Sequence, residues 1–154
     1  MEVRRARPGD AGALGRIAFA AKGHWGYPGR CMELWRPGLE VSPGFVRDNE
    51  VCVAVSGGEA VGFYALVGGG RGLDLEHLWV LPAWIGTGLG RKLFGHAMRR
   101  AQELGARTVT IESDLNAEGF YRRMGARRVC ENVYELEGRE RALPVMVVEL
   151  AKDG

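Results

Sequence analysis

"WVLPAWIGTGLGRKLF", Trp79 to Phe94, decides how this chain is read. Gly86, Gly88 and Gly90 alternate, Arg91 and Lys92 follow at once, and an apolar repeat then begins at Leu89 and Leu93. Glycine is a poor helix former, and cations at a helix start face the positive end of the helix dipole. Both become favourable if the turn holds an anion. The first amides of a helix lack intrahelical acceptors, glycines let a ligand approach the backbone, and a phosphate neutralises the two cations. A tight strand-to-helix turn with solvated cations is the plainer alternative.

Outward from that turn, "LDLEHLWVL" before it reads as a strand. Leu89, Leu93, Ala97 and Ala101 after it repeat every four residues, with Phe94, Met98 and Leu104 beside them, so the spacing predicts an amphipathic helix stopped at Gly105. "ARTVTIESD" is the next strand, which makes one parallel crossover. "MEVRRARP", "EVCVAV" and "AVGFYALV" are earlier strands, the last two joined by the hairpin signal "SGGE". Asp10 caps a helix with apolar positions Leu14, Ile17, Ala18 and Ala21. A short helix is expected near Cys31–Trp35, ended by Pro37, and another in "NAEGFYRRMG"; "RRVCENVYELE" and "LPVMVVEL" are the final strands. The expected fold is one α/β domain over residues 1–154, with a mixed, mostly antiparallel sheet of six to seven strands.

Composition narrows the class. The 154 residues carry 21 Lys+Arg against 19 Asp+Glu, a net charge of +2, too little to argue for nucleic acid or an anionic membrane. Cys31, Cys52 and Cys130 are odd in number and widely spaced, which points away from a disulfide framework or a zinc site and towards a reducing cytoplasm. No apolar run reaches the ~20 residues of a membrane span, and the N-terminus lacks a signal-peptide stretch. The glycine turn is neither of two common phosphate loops. A Walker loop needs Gly where Arg91 stands and Ser or Thr where Leu93 stands; a dinucleotide fingerprint would need its third glycine one residue later than Gly90.

The turn does resemble the acyl-CoA pyrophosphate loop of the GNAT superfamily of N-acetyltransferases, a pattern of Arg or Gln, two residues, Gly, one residue, then Gly or Ala. It falls here on Ile85-Gly86-Thr87-Gly88-Leu89-Gly90, with Ile85 where the family usually has Arg or Gln. "DLNAEGFYRRMGARRV", Asp114 to Val129, resembles the second signature. The resemblance runs from about Leu73 to Val129. It implies a central parallel strand pair splayed at the cofactor site, helices on both sheet faces, and acetyl-CoA as acetyl donor with no metal. It places the cofactor against Leu78, Trp79, Val80, Ile85, Gly86, Thr87, Gly88, Leu89, Gly90, Arg91, Lys92, Asn116, Phe120 and Arg123. Asn116 matches an asparagine that bonds the cofactor arm, or else caps the following helix. Tyr121 matches the tyrosine that protonates the departing thiolate, or else is a half-buried aromatic; Phe120 and Met124, four apart, are expected to carry the packing. Arg122, Arg123, Arg127 and Arg128 meet the cofactor's 3′-phosphate or form a solvated face.

The reaction needs a base, because an alkyl amine with a pKa of ~10 arrives protonated. Glu76 shares a strand face with Leu78 and Val80 and is preferred to His77 on the other face; a water relay remains open. In "GHWGYPGRCMELW", His24, Trp25, Tyr27 and Trp35 either line the acceptor pocket or pin the loop to the core. No acidic run lies near this loop, which disfavours a dedicated polyamine enzyme. The expected activity is direct acetyl transfer to a primary amine of a small molecule or peptide, with no nucleic-acid or membrane partner and homodimerisation open. No cysteine in either motif offers a covalent route. A non-catalytic acyl-CoA-binding module is the rival reading.

Overall fold

The computed structural model describes residues 1–69 and 71–150. Seven strands, β1 (Glu2–Arg5), β2 (Glu50–Ser56), β3 (Glu59–Gly69), β4 (Gly72–Val80), β5 (Thr108–Glu112), β6 (Arg127–Leu136) and β7 (Arg139–Glu149), hydrogen-bond in the order β1-β2-β3-β4-β5-β7-β6. The β4–β5 pair is parallel, and β1–β2, β2–β3, β5–β7 and β6–β7 are antiparallel. The mixed sheet expected from the sequence is therefore present. The helices are α1 (Ala11–Gly23), α2 (Gly29–Leu39), α3 (Pro43–Asp48), α4 (Leu89–Glu103) and α5 (Glu118–Arg123). Among the described residues, no helix is long and apolar enough to cross a membrane. The chain clusters into two compact units, Met1–Leu66 with His77–Ala97, and Val67–Glu76 with the chain from Met98 onward.

The first unit is built on β2 and β3. Val51 to Ala54 and Phe63 to Leu66 are buried without alternation, as in a strand covered on both faces. The expected face of α1, Leu14, Ile17, Ala18 and Ala21, is buried, and so are Leu89, Leu93 and Ala97 of α4. Gly57 and Gly58 take positive φ (58° and 81°), the geometry of a tight two-residue hairpin turn. Gly62 of β3 is required by packing. A Cβ there would lie 3.0 Å from the Trp79 carbonyl oxygen, 3.0 Å from Leu93 Cδ1 and 3.2 Å from Val80 Cγ1. Two elements differ from expectation. Helix α2 runs through Pro37 to Leu39, because a proline in the last turn removes only one helical donor before the chain leaves. Helix α3 was not expected; Ser42 caps it by accepting from the Phe45 amide at 3.0 Å, with Pro43 in its first turn.

The second unit contains β5, β7 and β6, with α5 and the last part of α4. Ala101 is fully buried on α4, while Leu104 lies beyond its end and is exposed. Gly105 (φ 87°) lets the Ala106 amide reach back to the Ala101 carbonyl at 3.0 Å, which closes the helix as the sequence predicts. Strand β7 begins at Arg139, earlier than the expected Leu143, because Glu137 and Gly138 (φ 52° and 78°) turn the chain tightly. The parallel ladder holds three pairs, Gly72–Thr108, Leu73–Val109 and Asp74–Thr110, and no further. Strand β5 nevertheless continues to Glu112, and Leu75 and Glu76 continue β4.

Candidate active site

In the first unit, the chain leaves β4 through a single 3₁₀ turn, Pro82–Trp84, into the glycine segment. Three amides there have protein acceptors: Ile85 on the Pro82 carbonyl (3.2 Å), Thr87 on Trp84 (3.3 Å) and Lys92 on Gly88 (3.0 Å). The Thr87 hydroxyl also donates to the Trp84 carbonyl at 2.5 Å, tightening the turn, and lies 3.4 Å from the Leu89 amide. Among the described residues, the amides of Gly86, Gly88, Gly90 and Arg91 have no backbone acceptor outside the helix ladder. Gly86 and Gly88 take positive φ (79° and 89°), and a Cβ on either would meet nothing within 4 Å. Residues 85–88, Arg91 and Lys92 are exposed, while Leu89 is buried and anchors the turn. Neither Arg91 nor Lys92 forms an ion pair among the described residues. Unsatisfied donors, open space above two glycines and two unpaired cations together fit a diphosphate.

Leu78, Trp79 and Val80 are half-buried at the end of β4. The Trp79 indole N–H donates to His77 Nδ1 at 2.9 Å. The His77 ring lies among Phe63 and Phe45, with centroids 5.5 and 5.8 Å away, and burial pushes its pKa down to about 4. It is a neutral core histidine whose Nδ1 is committed to the indole.

The aromatic segment between α1 and α2 divides into two pairs. Tyr27 and Trp35 pack edge-to-face at 4.8 Å, half-buried against the core, with Lys22 Nζ 4.9 and 4.5 Å from the two ring centroids. His24 and Trp25 form a second edge-to-face pair at 5.1 Å, and Trp25 is 47% exposed. Tyr27 and Trp35 thus pin the segment; His24 and Trp25 face solvent.

In the second unit, Glu76 is exposed and lines a cavity of about 340 Å³ with Asp74, Leu75, Thr110, Glu112, Asn132 and Val145. The cavity lies where the β4–β5 ladder has ended. Asn132 donates from Nδ2 to Glu112 Oε2 at 2.5 Å. Asp74 and Glu112 were missed by sequence reasoning. The alternation in "LDLEH" placed Asp74 beside Glu76, but nothing local placed Glu112 opposite.

Tyr121 lies outside that lining and is 7% exposed. Burial first, and then the nearby Asp114 charge, raise its pKa above the ordinary phenol value, so it stays protonated. The expected packing is inverted: Tyr121 is the buried member of α5, while Phe120 and Met124 are half-buried. The residue in N-cap position is Ala117, not Asn116; the Asn116 amide and Nδ2 both donate to Asp114 Oδ1 (2.9 and 2.8 Å). Of the four arginines, Arg122 pairs with Glu118 at 2.9 Å, Arg127 with Glu149 at 2.9 Å, and Arg128 with Glu131 and Glu118. Arg123 is exposed and unpaired among the described residues.

No protein with a curated description matches the chain in sequence. Several solved structures share its fold. A GCN5-related N-acetyltransferase from Rhodopseudomonas palustris superposes with a TM-score of 0.80 at 22% identity, covering 97% of this chain and 95% of that one. The PaiA N-acetyltransferase from Thermoplasma acidophilum, in complex with coenzyme A, gives 0.76 at 17% identity over 96% and 98%. The YncA protein from Salmonella typhimurium, with its cofactor acetyl-CoA, gives 0.73 at 19% identity over 100% and 96%. The family model described as an acetyltransferase (GNAT) domain matches residues 44–140, well over half of the chain. With its fold and the glycine turn between β4 and α4, the chain belongs to the GNAT acetyltransferase family.

Proposed function

We propose that this chain is an acetyl-CoA-dependent N-acetyltransferase that moves the acetyl group directly to a primary amine. The observation that carries the reading is the set of outward amides at Gly86, Gly88, Gly90 and Arg91, followed by the unpaired Arg91 and Lys92. This is a site for a diphosphate at a helix start. Acetyl-CoA bound there supplies a thioester, an acyl group already activated towards an amine.

The chain's residues supply the proton handling. Glu76 is an exposed carboxylate at the rim of a cavity, so it accepts the proton of an incoming alkylammonium. Tyr121 keeps its proton at neutral pH and donates a hydrogen bond towards sulfur as charge gathers there. Because its pKa is raised, full transfer to a thiolate of ordinary basicity is uphill, and the hydrogen bond itself does most of the work. Overall, one N–C bond forms and one C–S bond breaks. Of the two protons that the alkylammonium loses, one ends on the thiol and one reaches solvent through Glu76.

Titration calorimetry with acetyl-CoA, coenzyme A, ATP and NAD tests the reading, together with thiol release over a panel of amines. The expected result is heat with acetyl-CoA and coenzyme A alone, and thiol release that requires an amine. Absence of heat at millimolar acetyl-CoA overturns it. Binding without thiol release from any amine identifies an acyl-CoA-binding module instead.

A further inference from the structure

We infer that the groove between α1 and the end of α2 binds a small carboxylate with an apolar body, its oxygens held by the Val41 amide and the Arg16 guanidinium. The groove lies within the first unit and encloses about 390 Å³, at the small end of ligand sites. None of its lining residues belongs to the glycine turn or to the Glu76 cavity. The half-buried Phe19 ring and the buried Leu39 give it an apolar wall.

The Val41 amide lacks what comparable amides have. Among the described residues, five buried residues lie outside helices and strands: Ala6, Val41, Ala106, Ser113 and Ala126. Four of these donate their amides, Ala6 to the Val51 carbonyl (2.9 Å), Ala106 to Ala101 (3.0 Å), Ser113 to Pro144 (2.8 Å) and Ala126 to Tyr121 (3.0 Å). Val41 has no acceptor among the described residues, although the adjacent Glu40 amide closes α2 on the Arg36 carbonyl at 3.1 Å. A buried N–H is almost always paired, so the acceptor for Val41 comes from outside the chain.

Glycine keeps that amide uncovered. A Cβ at Gly15 would lie 3.6 Å from the Val41 nitrogen and 3.9 Å from the Leu39 carbonyl oxygen, ordinary contacts that packing tolerates. A Cβ at Gly12 would meet only Arg16 Nη1, at 3.4 Å, so the guanidinium lies back over this position. Steric conflict therefore requires neither glycine, and glycine is among the poorest helix formers. Both nevertheless stand in α1 and line the groove. Open space beside a buried donor accounts for them.

Charge points to the same ligand. Arg36 is already matched: it makes two bonds to Glu33 (3.0 and 2.7 Å), the Glu40 charge also acts on it, and its guanidinium covers the Phe19 ring at 4.1 Å from the centroid. Arg16 has no acidic partner among the described residues, so it is the lining cation left for a ligand. One amide and one guanidinium together accept the two oxygens of a carboxylate, and the Phe19–Leu39 wall takes the apolar body.

The test is titration calorimetry and melting of the full chain with 3-phenylpropionate, hexanoate and 3-phenylpropanol, each repeated with saturating coenzyme A. Both carboxylates should give heat and raise the melting temperature with concentration. The alcohol should bind at least ~10-fold more weakly. Arg16→Gln, at an exposed position, should weaken both carboxylates about 10-fold, and less at high salt. Gly15→Ala should melt at or above wild type while losing more than about 10-fold in carboxylate affinity, which separates a filled groove from a damaged fold. Absence of heat with both carboxylates at millimolar concentration overturns the inference, as does a Gly15→Ala or Arg16→Gln protein that binds them like wild type. Equal binding of the alcohol means that no charge is recognised, and displacement by coenzyme A places the carboxylates at the glycine turn; either result also overturns it.

Discussion

Gly62→Ala should loosen the junction that carries the glycine turn. Position 62 lies in β3 outside the positive-φ set, so alanine suits the backbone, and reduced unfolded-state entropy would by itself stabilise by roughly 0.4–1 kcal/mol. Space decides otherwise. The new Cβ would sit 3.0 Å from Leu93 Cδ1, which can yield, and 3.0 Å from the Trp79 carbonyl oxygen, which cannot yield cheaply. The Trp79 carbonyl is backbone, and two residues on, the Leu81 amide is bonded to the Val61 carbonyl at 2.9 Å, so β4 cannot back away without losing that bond. Overpacking of this kind costs about 1–3 kcal/mol. The net loss is on the order of 1–2 kcal/mol, or roughly 2–8 °C of melting temperature in a domain of this size. Trimming Leu93 to Val in the Gly62→Ala background should recover only the side-chain share. Melting curves and urea unfolding of wild type, both single variants and the double variant supply the measurement. If Gly62→Ala melts at or above wild type, the close approach described here is wrong; full recovery by Leu93→Val would mean that the carbonyl contact contributes nothing.

Three further outcomes follow from named groups. His77 is held neutral with a pKa of about 4 against 6.5 when exposed, so the unfolded chain binds the extra proton first as pH falls. Its contribution should be complete above pH 6.5 and fade towards pH 4, a loss of about 3 kcal/mol read from urea midpoints; a His77→Phe variant that keeps the same slope refutes this. Tyr121, whose pKa is raised, should favour the fold below pH 10 and cost stability as pH rises beyond it. Tyr121→Phe should remove that alkaline loss and lower kcat about 10²-fold with acetyl-CoA affinity retained; unchanged kcat removes Tyr121 from the mechanism. Gly88→Val places a side chain at φ 89° in the mouth of the turn, at a strain of about 1–2 kcal/mol that the fold should survive. Acetyl-CoA affinity should drop by more than about tenfold while a truncated thioester lacking the diphosphate reacts as before; equal losses for both would place the diphosphate elsewhere.

The glycine turn was legible because its chemistry is local. Spacing, positive φ and adjacent cations all lie within eight residues, and the Leu89, Leu93, Ala97, Ala101 stripe fixes which side of the helix faces inward. Short helices were not legible in the same way. The six residues of α3 and of α5 hold too little of a 3.6-residue period to set a phase, so spacing does not reveal the first despite Ser42-Pro43, and it points Phe120 inward where the fold buries Tyr121. Alternation along β4 correctly set Glu76 apart from His77, but the burial of His77 between Phe45 and Phe63 needed the neighbouring elements.

The cavity shows where local reading must stop. Asp74 and Glu76 are neighbours on a strand face by simple alternation, yet nothing in either strand says that Glu112 joins them. That depends on the parallel register Asp74–Thr110, fixed across an intervening helix, and on the ladder ending there. A register one residue different would turn Glu112 to the other face and leave two carboxylates where there are three. The amides and cations proposed to hold a diphosphate are therefore written contiguously, while Asp74, Glu76 and Glu112 are dispersed and meet only through strand pairing. Substitutions at the buried Val109 or Ile111 that shift the β5 register should change the lining of this cavity, with acetyl-CoA affinity in calorimetry unchanged, since neither residue belongs to the glycine turn.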